Sequence, residues 1–413
     1  MLLARNRNYR LLFSATAVSN LGDGISALAF PWLATLLTRD PVLIAAVAAA
    51  GRLPWLLFTA PAGVITDRAS RQALMVWSDV VRAALTCAVI LLILSIPDIE
   101  AGASNVTVWA LAALAFLLGM AEVLRDNAAQ TALPSLVDKA DLENANGQLW
   151  SVEQIMGSFV GPPLAGVLIA IAVPMPFAFD ALSFALAAGL VACITFPERA
   201  ARAATQSVFR DLRDGAVWLW QHKTILQLAV LLGVINAATA GYATLLVLYA
   251  QEVLGLNAAG FGLLMMAGAA GGVAGGILGP HLVRRFGGQA MFLGAQILFL
   301  ADPLAVYFTS SISIVAVGLF IAMFASVTYN IVTVSYRQRV IPDDLLGRVN
   351  SLYRLFGWGM MPLGILAAGA MVSLTEGAMG REDALRLPFA VGGVVLFAMF
   401  LYSAARIRIP PRR

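Results

Sequence analysis

Eight charged residues stand inside stretches that are otherwise almost wholly apolar: Asp23, Arg52, Asp79, Arg82, Glu122, Arg125, Asp126 and Glu153. A charge in such surroundings is costly unless it meets a partner, so it commonly marks a path for protons, ions or charged substrates. Carboxyl groups beside guanidinium groups can exchange protons, because burial favours the neutral acid and a nearby cation favours the carboxylate. Asp79 and Arg82 are three residues apart, as are Glu122 and Arg125, so each pair shares one helix face. Asp23 and Arg52 lie on consecutive apolar runs. If those runs are antiparallel helices, a rise of about 1.5 Å per residue leaves the two about 6 Å apart in depth, within reach of an ion pair. Two readings follow: a static pair that neutralises itself, or Asp23 as a protonation or cationic-substrate site tuned by Arg52. Glu153 is a third coupling candidate. Enzymatic chemistry has no such foothold. No Gly-x-x-x-x-Gly-Lys-Ser/Thr loop and no His-Glu-x-x-His motif occurs, and His222 and His281 stand alone. No pair of nucleophile and base suited to an intramembrane hydrolase is found. The expectation is therefore no enzyme, no bound metal and no cofactor.

The elements that must hold these residues follow from composition. The chain has 413 residues, of which 60% are hydrophobic and 12% charged, with a mean hydropathy of +0.84. Soluble domains carry about 25% charged residues, so this chain cannot clothe a water-facing surface. Apolar runs of about 20 residues recur throughout, the length of a membrane-spanning helix. The alternating segments of a β-barrel are absent. The runs predict an all-α membrane protein with twelve transmembrane helices, at 9–37, 42–65, 73–96, 105–127, 146–172, 177–196, 224–249, 258–282, 289–308, 311–334, 348–373 and 387–407. Arg52 and Arg82 fall within spans. Of the remaining Lys and Arg, all but Arg39, Arg381 and Arg386 then lie on one side, which places both termini in the cytoplasm. The start of the chain superficially fits a cleaved signal peptide, but its apolar run contains Asn20 and Asp23 and continues beyond the cleavage-like site, so it reads as the first span. Cys87 and Cys193 sit far apart inside apolar runs and read as small hydrophobes. The net charge of +4 is spread over the loops of one side, which argues against a nucleic-acid partner.

The loop at 197–223 divides the chain into a six-helix half at 1–197, a cytoplasmic linker at 198–223 and a second half at 224–413. Phe209, Leu212, Ala216 and Trp220 recur at helical spacing beside Arg199, Arg202, Arg210, Arg213 and Lys223, which suggests a helix on the inner membrane surface. The halves echo each other. Pro134, Asn146 and Pro162 have counterparts in Pro342, Asn350 and Pro362, and the charged turn Gly63-x-x-x-Asp67-Arg68-x-x-Arg71 has a degraded copy, without the Asp, at 279–287. Such internal repeats are typical of transporters. Glycines four apart at Gly157 and Gly161 favour close helix packing, and Pro162 removes a helix hydrogen bond, which permits a bend.

These residues carry a family resemblance. The 63–71 turn resembles the loop signature of the major facilitator superfamily between spans two and three, with Ser70 where Gly is usual. Gly157-x-x-x-Gly161-Pro162-x-x-Ala165-Gly166 is similar to the signature associated with antiporters, with Ala165 in place of one Gly. Ala-Leu-Pro-Ser-Leu-Val at 132–137, Ala145-Asn146 and the 339–350 segment Arg-Val-Ile-Pro-Asp-Asp-Leu-Leu-Gly-Arg-Val-Asn resemble the bacterial exporter branch that includes the enterobactin exporter and macrolide-efflux proteins. The resemblance spans nearly the whole chain. It implies two pseudo-symmetric six-helix halves and an antiporter-like hinge at Gly157, Gly161, Pro162 and Gly166. Gly63, Asp67, Arg68, Arg71, Asp79, Arg82, Glu122, Arg125 and Asp126 become an inner gate, with a static anchor as the rival reading. Asp67 would meet the start of span eleven, where a helix N-terminus favours negative charge. A central cavity would be lined by Asn20, Asn236, Tyr242, Tyr329, Tyr353 and Trp358.

The function this implies is secondary active export of small amphipathic molecules, a drug or metabolite, by proton antiport and alternating access. A siderophore exporter or a lipid or lysolipid flippase on the same scaffold is the alternative, and a non-transporting sensor a third. The expected partners are a small-molecule substrate, protons and membrane lipids. The expected setting is a bacterial inner membrane, with the protein as a monomer.

Overall fold

The computed structural model describes residues 2–96, 104–138, 141–196 and 208–410. A single turn, α1 (Leu2–Arg5), precedes α2 (Arg7–Leu37), whose N-cap Asn6 accepts a hydrogen bond from the Tyr9 N–H. Next come α3 (Pro41–Leu57), α4 (Thr59–Arg68) and α5 (Arg71–Leu94). Ser70 caps α5 through the Ala73 N–H, and Ser104 caps α6 (Asn105–Leu136) through the Thr107 N–H, each satisfying one of the donors left over at a helix start. Then follow α7 (Leu142–Glu153), a π-helix (Gln154–Val160), α8 (Gly161–Ile171), α9 (Met175–Ala192), α10 (Val208–Gln221), α11 (Lys223–Glu252) and α12 (Ala258–Phe286). The series ends with α13 (Gly288–Leu298), α14 (Ala301–Phe308), α15 (Ile312–Val340), α16 (Asp343–Gly359), α17 (Met361–Met379) and α18 (Arg381–Arg406). Gly287 and Gly380, at φ 84° and 87°, turn the chain between consecutive helices in a conformation that a side chain would strain.

No strand occurs among the described residues. Among the described residues ten helices or runs of consecutive helices are long and apolar enough to cross a membrane, and they correspond to the third to twelfth expected spans. The expected spans at 9–37 and 42–65 are not among the ten. The first carries Asn20 and Asp23 within its helix, and the second is an apolar helix of 17 residues.

Four expected spans are interrupted, each just before a proline. The α3–α4 break precedes Pro61, the π-helix precedes Pro162, the α13–α14 break precedes Pro303, and the α16–α17 break precedes Pro362. Proline lacks an N–H and its ring clashes with the carbonyl four residues earlier, which favours a widened turn or a stop there, although Pro31, Pro54, Pro134, Pro280 and Pro388 are held inside continuous helices. The segment expected to hold the linker contains α10, which packs on α16, with Gly215 against Arg348. On α10, Leu219 is buried while Val217 and Trp220 are exposed. Residues 198–207, with Arg199 and Arg202, lie outside the described residues, as do the side chains of Phe209, Arg210 and Leu212.

The chain forms two compact units. The first comprises Met1–Arg39, Ala50–Thr205 and Asn257–Leu263, and the second Asp40–Ala49, Gln206–Leu256 and Leu264–Arg413. In the first, α2, α5, α6 and α9 pack around Tyr9, Leu12, Met75, Leu133 and Val191. The Tyr9 hydroxyl reaches Ala145 O at 3.1 Å and Gln148 Oε1 at 2.9 Å, tying α2 to α7. In the second, α11 is central and packs on α16, α17 and α18.

Glycine permits close backbone contact between α2 and the segment around the π-helix. A methyl group at Gly24 would lie 2.3 Å from the Gly157 carbonyl oxygen, and one at Gly161 would lie 2.6 Å from the Gly24 backbone. A methyl at Gly157 would lie 3.6 Å from Asn20 O, an ordinary contact. Gly24→Ala and Gly161→Ala are therefore expected to destabilise by about 1–3 kcal/mol, the usual cost of overpacking, whereas Gly157→Ala should melt with the wild type. Thermal melting in detergent distinguishes them, and equal losses at all three positions would show that backbone contact is not the cause.

Candidate functional site

Arg82 is the centre of a charged cluster inside the first unit. It lies on α5 and is buried, as are Asp79 on the same helix and Arg125 on α6. Arg82 Nη2 is ion-paired and hydrogen-bonded to Asp23 Oδ1 on α2. Its Nη1 lies 3.7 Å from Asp79 Oδ1 and donates to Ser19 Oγ at 3.3 Å. Its guanidinium carbon sits 3.8 Å above the Phe184 ring of α9, a favourable place for a desolvated cation. Arg125 continues the chain of charges, with Nε 3.6 Å from Asp79 Oδ1 and Nη1 3.7 Å from Asp126 Oδ1. Among the described residues neither Asp79 oxygen accepts a hydrogen bond. Asp79 is thus held between two guanidinium groups by charge alone, with lone pairs free to change partner.

Other carboxyl groups face the same region. Glu122 is within electrostatic reach of Asp23, Arg82, Asp126 and Arg52, and Glu153 is within reach of Asp126, Arg125 and Asp23. Asp180 on α9 is a further member, absent from the sequence-based candidates. It is buried, accepts from Ser26 Oγ at 2.5 Å and lies within reach of Asp23 and Arg82. It is the only charged residue of α9, so the rule that flags Asp23, a charge inside an apolar run, flags it too.

One expected pairing is corrected. Asp23 bonds to Arg82, and Arg52 is exposed. Equal depth does not make a pair. Arg82 shares the buried face of α5 with Met75, Ser78, Asp79 and Thr86, whereas Arg52 is exposed on α3 and lies within electrostatic reach of Glu122. Of the remaining gate residues, Arg71 begins α5 and is half-buried, while the side chains of Gly63, Asp67 and Arg68 lie outside the described residues.

The hinge residues are placed around a helix irregularity. Gly157 lies in the π-helix, and Gly161 and Pro162 begin α8. Short π segments recur at functional sites. Within the same unit a methyl at Gly166 would lie 2.5 Å from Ala258 O.

The six residues expected to line a cavity divide differently. Asn20 is half-buried on α2 and donates to Thr16 O at 2.9 Å. Asn236 donates to Gly357 O at 2.8 Å, tying α11 to α16, and Trp358 is half-buried on α16. Tyr242, Tyr329 and Tyr353 are buried in helix packing of the second unit, which sets them in its interior and not on a cavity wall. Tyr329 stacks on Phe292 at 5.5 Å, and the Tyr353 hydroxyl donates to Leu228 O at 3.2 Å. Tyr242 lies within electrostatic reach of Asp302, a buried acid in the first turn of α14 absent from the sequence-based candidates. Aromatic rings at helical spacing filled the bundle, as such rings commonly do. Among the described residues no group of three His, Cys, Asp or Glu is arranged to hold a metal ion.

A bundle of membrane-crossing helices with an acid–arginine cluster buried inside it is the construction of a solute transporter. The sequence profile of the transmembrane secretion effector family, within the major facilitator superfamily, matches residues 3–410, and the chain belongs to that family. It is similar to the multidrug efflux pump Tap of Mycolicibacterium fortuitum, 27% identical over 405 residues that cover 95% of each chain. It is also similar to the staphyloferrin A transporter of Staphylococcus aureus, 25% identical over 370 residues, 86% of this chain and 87% of that one. A bacterial homologue of the iron transporter ferroportin, solved in an inward-facing state, shares the fold with a TM-score of 0.73 at 20% identity, covering 95% of this chain and 98% of its own. The protein is a multi-span membrane transporter and not an enzyme.

Arg82→Met removes one cation from a buried network and is expected to destabilise by about 3–5 kcal/mol. Adding Asp79→Asn should recover part of that loss, with a coupling of about 0.5–3 kcal/mol in a double-mutant cycle. Chemical denaturation of the four proteins measures it, and strictly additive losses would show that the two groups do not interact.

Proposed function

We propose that this chain is a proton-coupled exporter of small amphipathic molecules, working by alternating access in a bacterial inner membrane with both termini in the cytoplasm. The observation that carries the reading is the imbalance of charge in the first unit. Six carboxyl groups, those of Asp23, Asp79, Glu122, Asp126, Glu153 and Asp180, share one region with the two buried guanidinium groups of Arg82 and Arg125. Carboxyl groups outnumber guanidinium groups there, and uncompensated charge at membrane depth is costly, which supports a cluster that exchanges protons.

Asp23 is the exchanging group in this reading. When its carboxylate takes a proton from water on the outer side, the ion pair with Arg82 is lost. Arg82 then turns fully to Asp79, already 3.7 Å away, and the α2–α5 contact loosens. Release of the same proton to the cytoplasm restores the first pairing. One proton moves inward for each return of Arg82, while the substrate moves outward. Glu122, Asp126 and Glu153 supply the onward path, and Gly157, Gly161, Pro162 and Gly166 form the hinge at which α8 bends. The similarity to Tap supports drug efflux. The similarity to the staphyloferrin A transporter supports siderophore export as the second reading.

Everted vesicles test the coupling with ethidium as an amphipathic probe. Wild-type vesicles should accumulate the dye only when a pH gradient is imposed, and Asp23→Asn should reduce accumulation to that of vesicles lacking the protein. Uptake by the variant that still followed the gradient would sink the assignment of Asp23. Dye uptake by the wild type that ignored the gradient would sink proton coupling itself.

A further inference from the structure

We propose that the second unit carries a binding site for the phosphate of an anionic phospholipid headgroup, in a cavity bounded by α12, α15 and the C-terminal segment. The cavity has a volume of about 280 Å³ and is lined by Arg284, Arg339, Ser335, Gly287, Gly288 and Pro410, among others. Its two arginines come from different helices. Arg284 is in the last turn of α12 and Arg339 in the last turn of α15, so their guanidinium groups approach one space from two sides. Arg339 spends only its Nε on the protein, donating to Ser335 O at 3.1 Å. Among the described residues neither arginine is paired with a carboxylate. Two guanidinium groups converging on one cavity are suited to a phosphate, which accepts charge-assisted hydrogen bonds from both.

The remaining walls fit the same ligand. Gly287 precedes α13 at φ 84° and offers no side-chain cap, so the first N–H groups of α13 lack a side-chain acceptor. The C-terminal segment is held in place to complete the cavity: Gln289 Nε2 donates to Ile407 O at 3.1 Å, and the Ile409 N–H donates to Gln289 Oε1 at 2.7 Å. Pro410 then closes one side. A lipid is favoured over a soluble anion by what adjoins the site. Leu278 and Phe286 on α12 and Val340 on α15 expose large apolar side chains on the helices that carry the arginines, as an acyl chain would require. Basic pockets between helices on the cytoplasmic side are suited to anionic headgroups, and this placement rests on the orientation proposed above.

Native mass spectrometry of the purified full-length protein tests the site with phosphatidylglycerol, cardiolipin and phosphatidylcholine, and with inorganic phosphate as competitor. The wild type should retain the two anionic lipids in preference to phosphatidylcholine, and inorganic phosphate should not displace them. The pair Arg284→Gln with Arg339→Gln should weaken retention about thirtyfold. Ser335→Phe, which fills the cavity and keeps both arginines, should weaken it as well. Arg5→Gln with Arg7→Gln, two exposed cations of the other unit, should leave it unchanged, and melting temperatures recorded beside each measurement report folding. Equal weakening by the Arg5 and Arg7 pair would overturn the proposal in favour of diffuse charge. Full retention in Ser335→Phe, or displacement by inorganic phosphate, would overturn it too. All of these readouts are independent of transport, so they stand or fall apart from proton coupling.

Discussion

A guanidinium group with no access to water is the constraint around which the first unit is arranged. Arg82 cannot neutralise itself as a buried carboxyl can, so its charge must be met wherever the helix carries it. Asp23, Asp79, Ser19 and the Phe184 ring meet it from three helices. That requirement fixes the rotation and the depth of α2, α5 and α9 together. It reaches into small residues as well. A methyl at Gly22 would lie 2.2 Å from both Asp180 Oδ1 and Ser183 Oγ, so a glycine on α2 makes room for the acid that α9 brings toward the cluster. Apolar burial supplies most of the packing energy, but it is non-directional. The ions choose the register.

The hinge and the cluster meet on adjacent residues. Asp23 faces Arg82, and Gly24 rests on the Gly157 backbone within the π-helix. Methyl-scale contact leaves α2 no freedom to shift without the 154–161 segment, and the π-helix is the part of that segment whose hydrogen bonds are already irregular. In the mechanism proposed above, a change of partner at Asp23 and a change of bend before Pro162 would be two ends of one displacement, coupled through a packed contact, and packed interiors favour a few discrete arrangements over continuous deformation.

The cluster was legible in the sequence because charge in an apolar run is rare and expensive. Asp79, Arg82, Glu122, Arg125 and Asp126 fell to one rule, and the structure gathers all five into one region. The partners were less legible. Depth along the membrane normal is one coordinate, and it suggested Arg52 for Asp23, but helix rotation and neighbour order are two more that spacing does not supply. Asp180 and Asp302 were missed although each is the only charged residue in its expected span, at 177–196 and 289–308, so the same rule flags them. The tyrosines misled because a ring at helical spacing fits a bundle interior and a ligand pocket equally well. Prolines were partial marks: the bend expected at Pro162 coincides with a π-helix, and helices break before Pro303 and Pro362, whereas Pro31, Pro54, Pro134, Pro280 and Pro388 lie inside continuous helices.

The two units satisfy their buried polar groups by different means. In the first, the buried cluster joins α2, α5 and α6 through ions, beside neutral contacts such as that of Tyr9. In the second, the buried contacts are closed by neutral donors, Asn236 to Gly357, Tyr353 to Leu228, Tyr249 to Val306 and Thr309, and Ser403 to Gln296, while the ion pair between α18 and α11, Arg381 with Glu252, is half-exposed. A hydrogen bond from an amide or phenol to a carbonyl does not respond when a proton arrives, whereas a carboxylate–guanidinium pair is abolished by one. A change of protonation would therefore reach the buried contacts of the first unit more directly than those of the second. Asp302 is the buried acid of the second unit among the described residues, with Tyr242 within electrostatic reach. Its position in the first turn of α14 adds the positive end of a helix. The difference between the units lies in whether charge or a neutral dipole closes the buried contact.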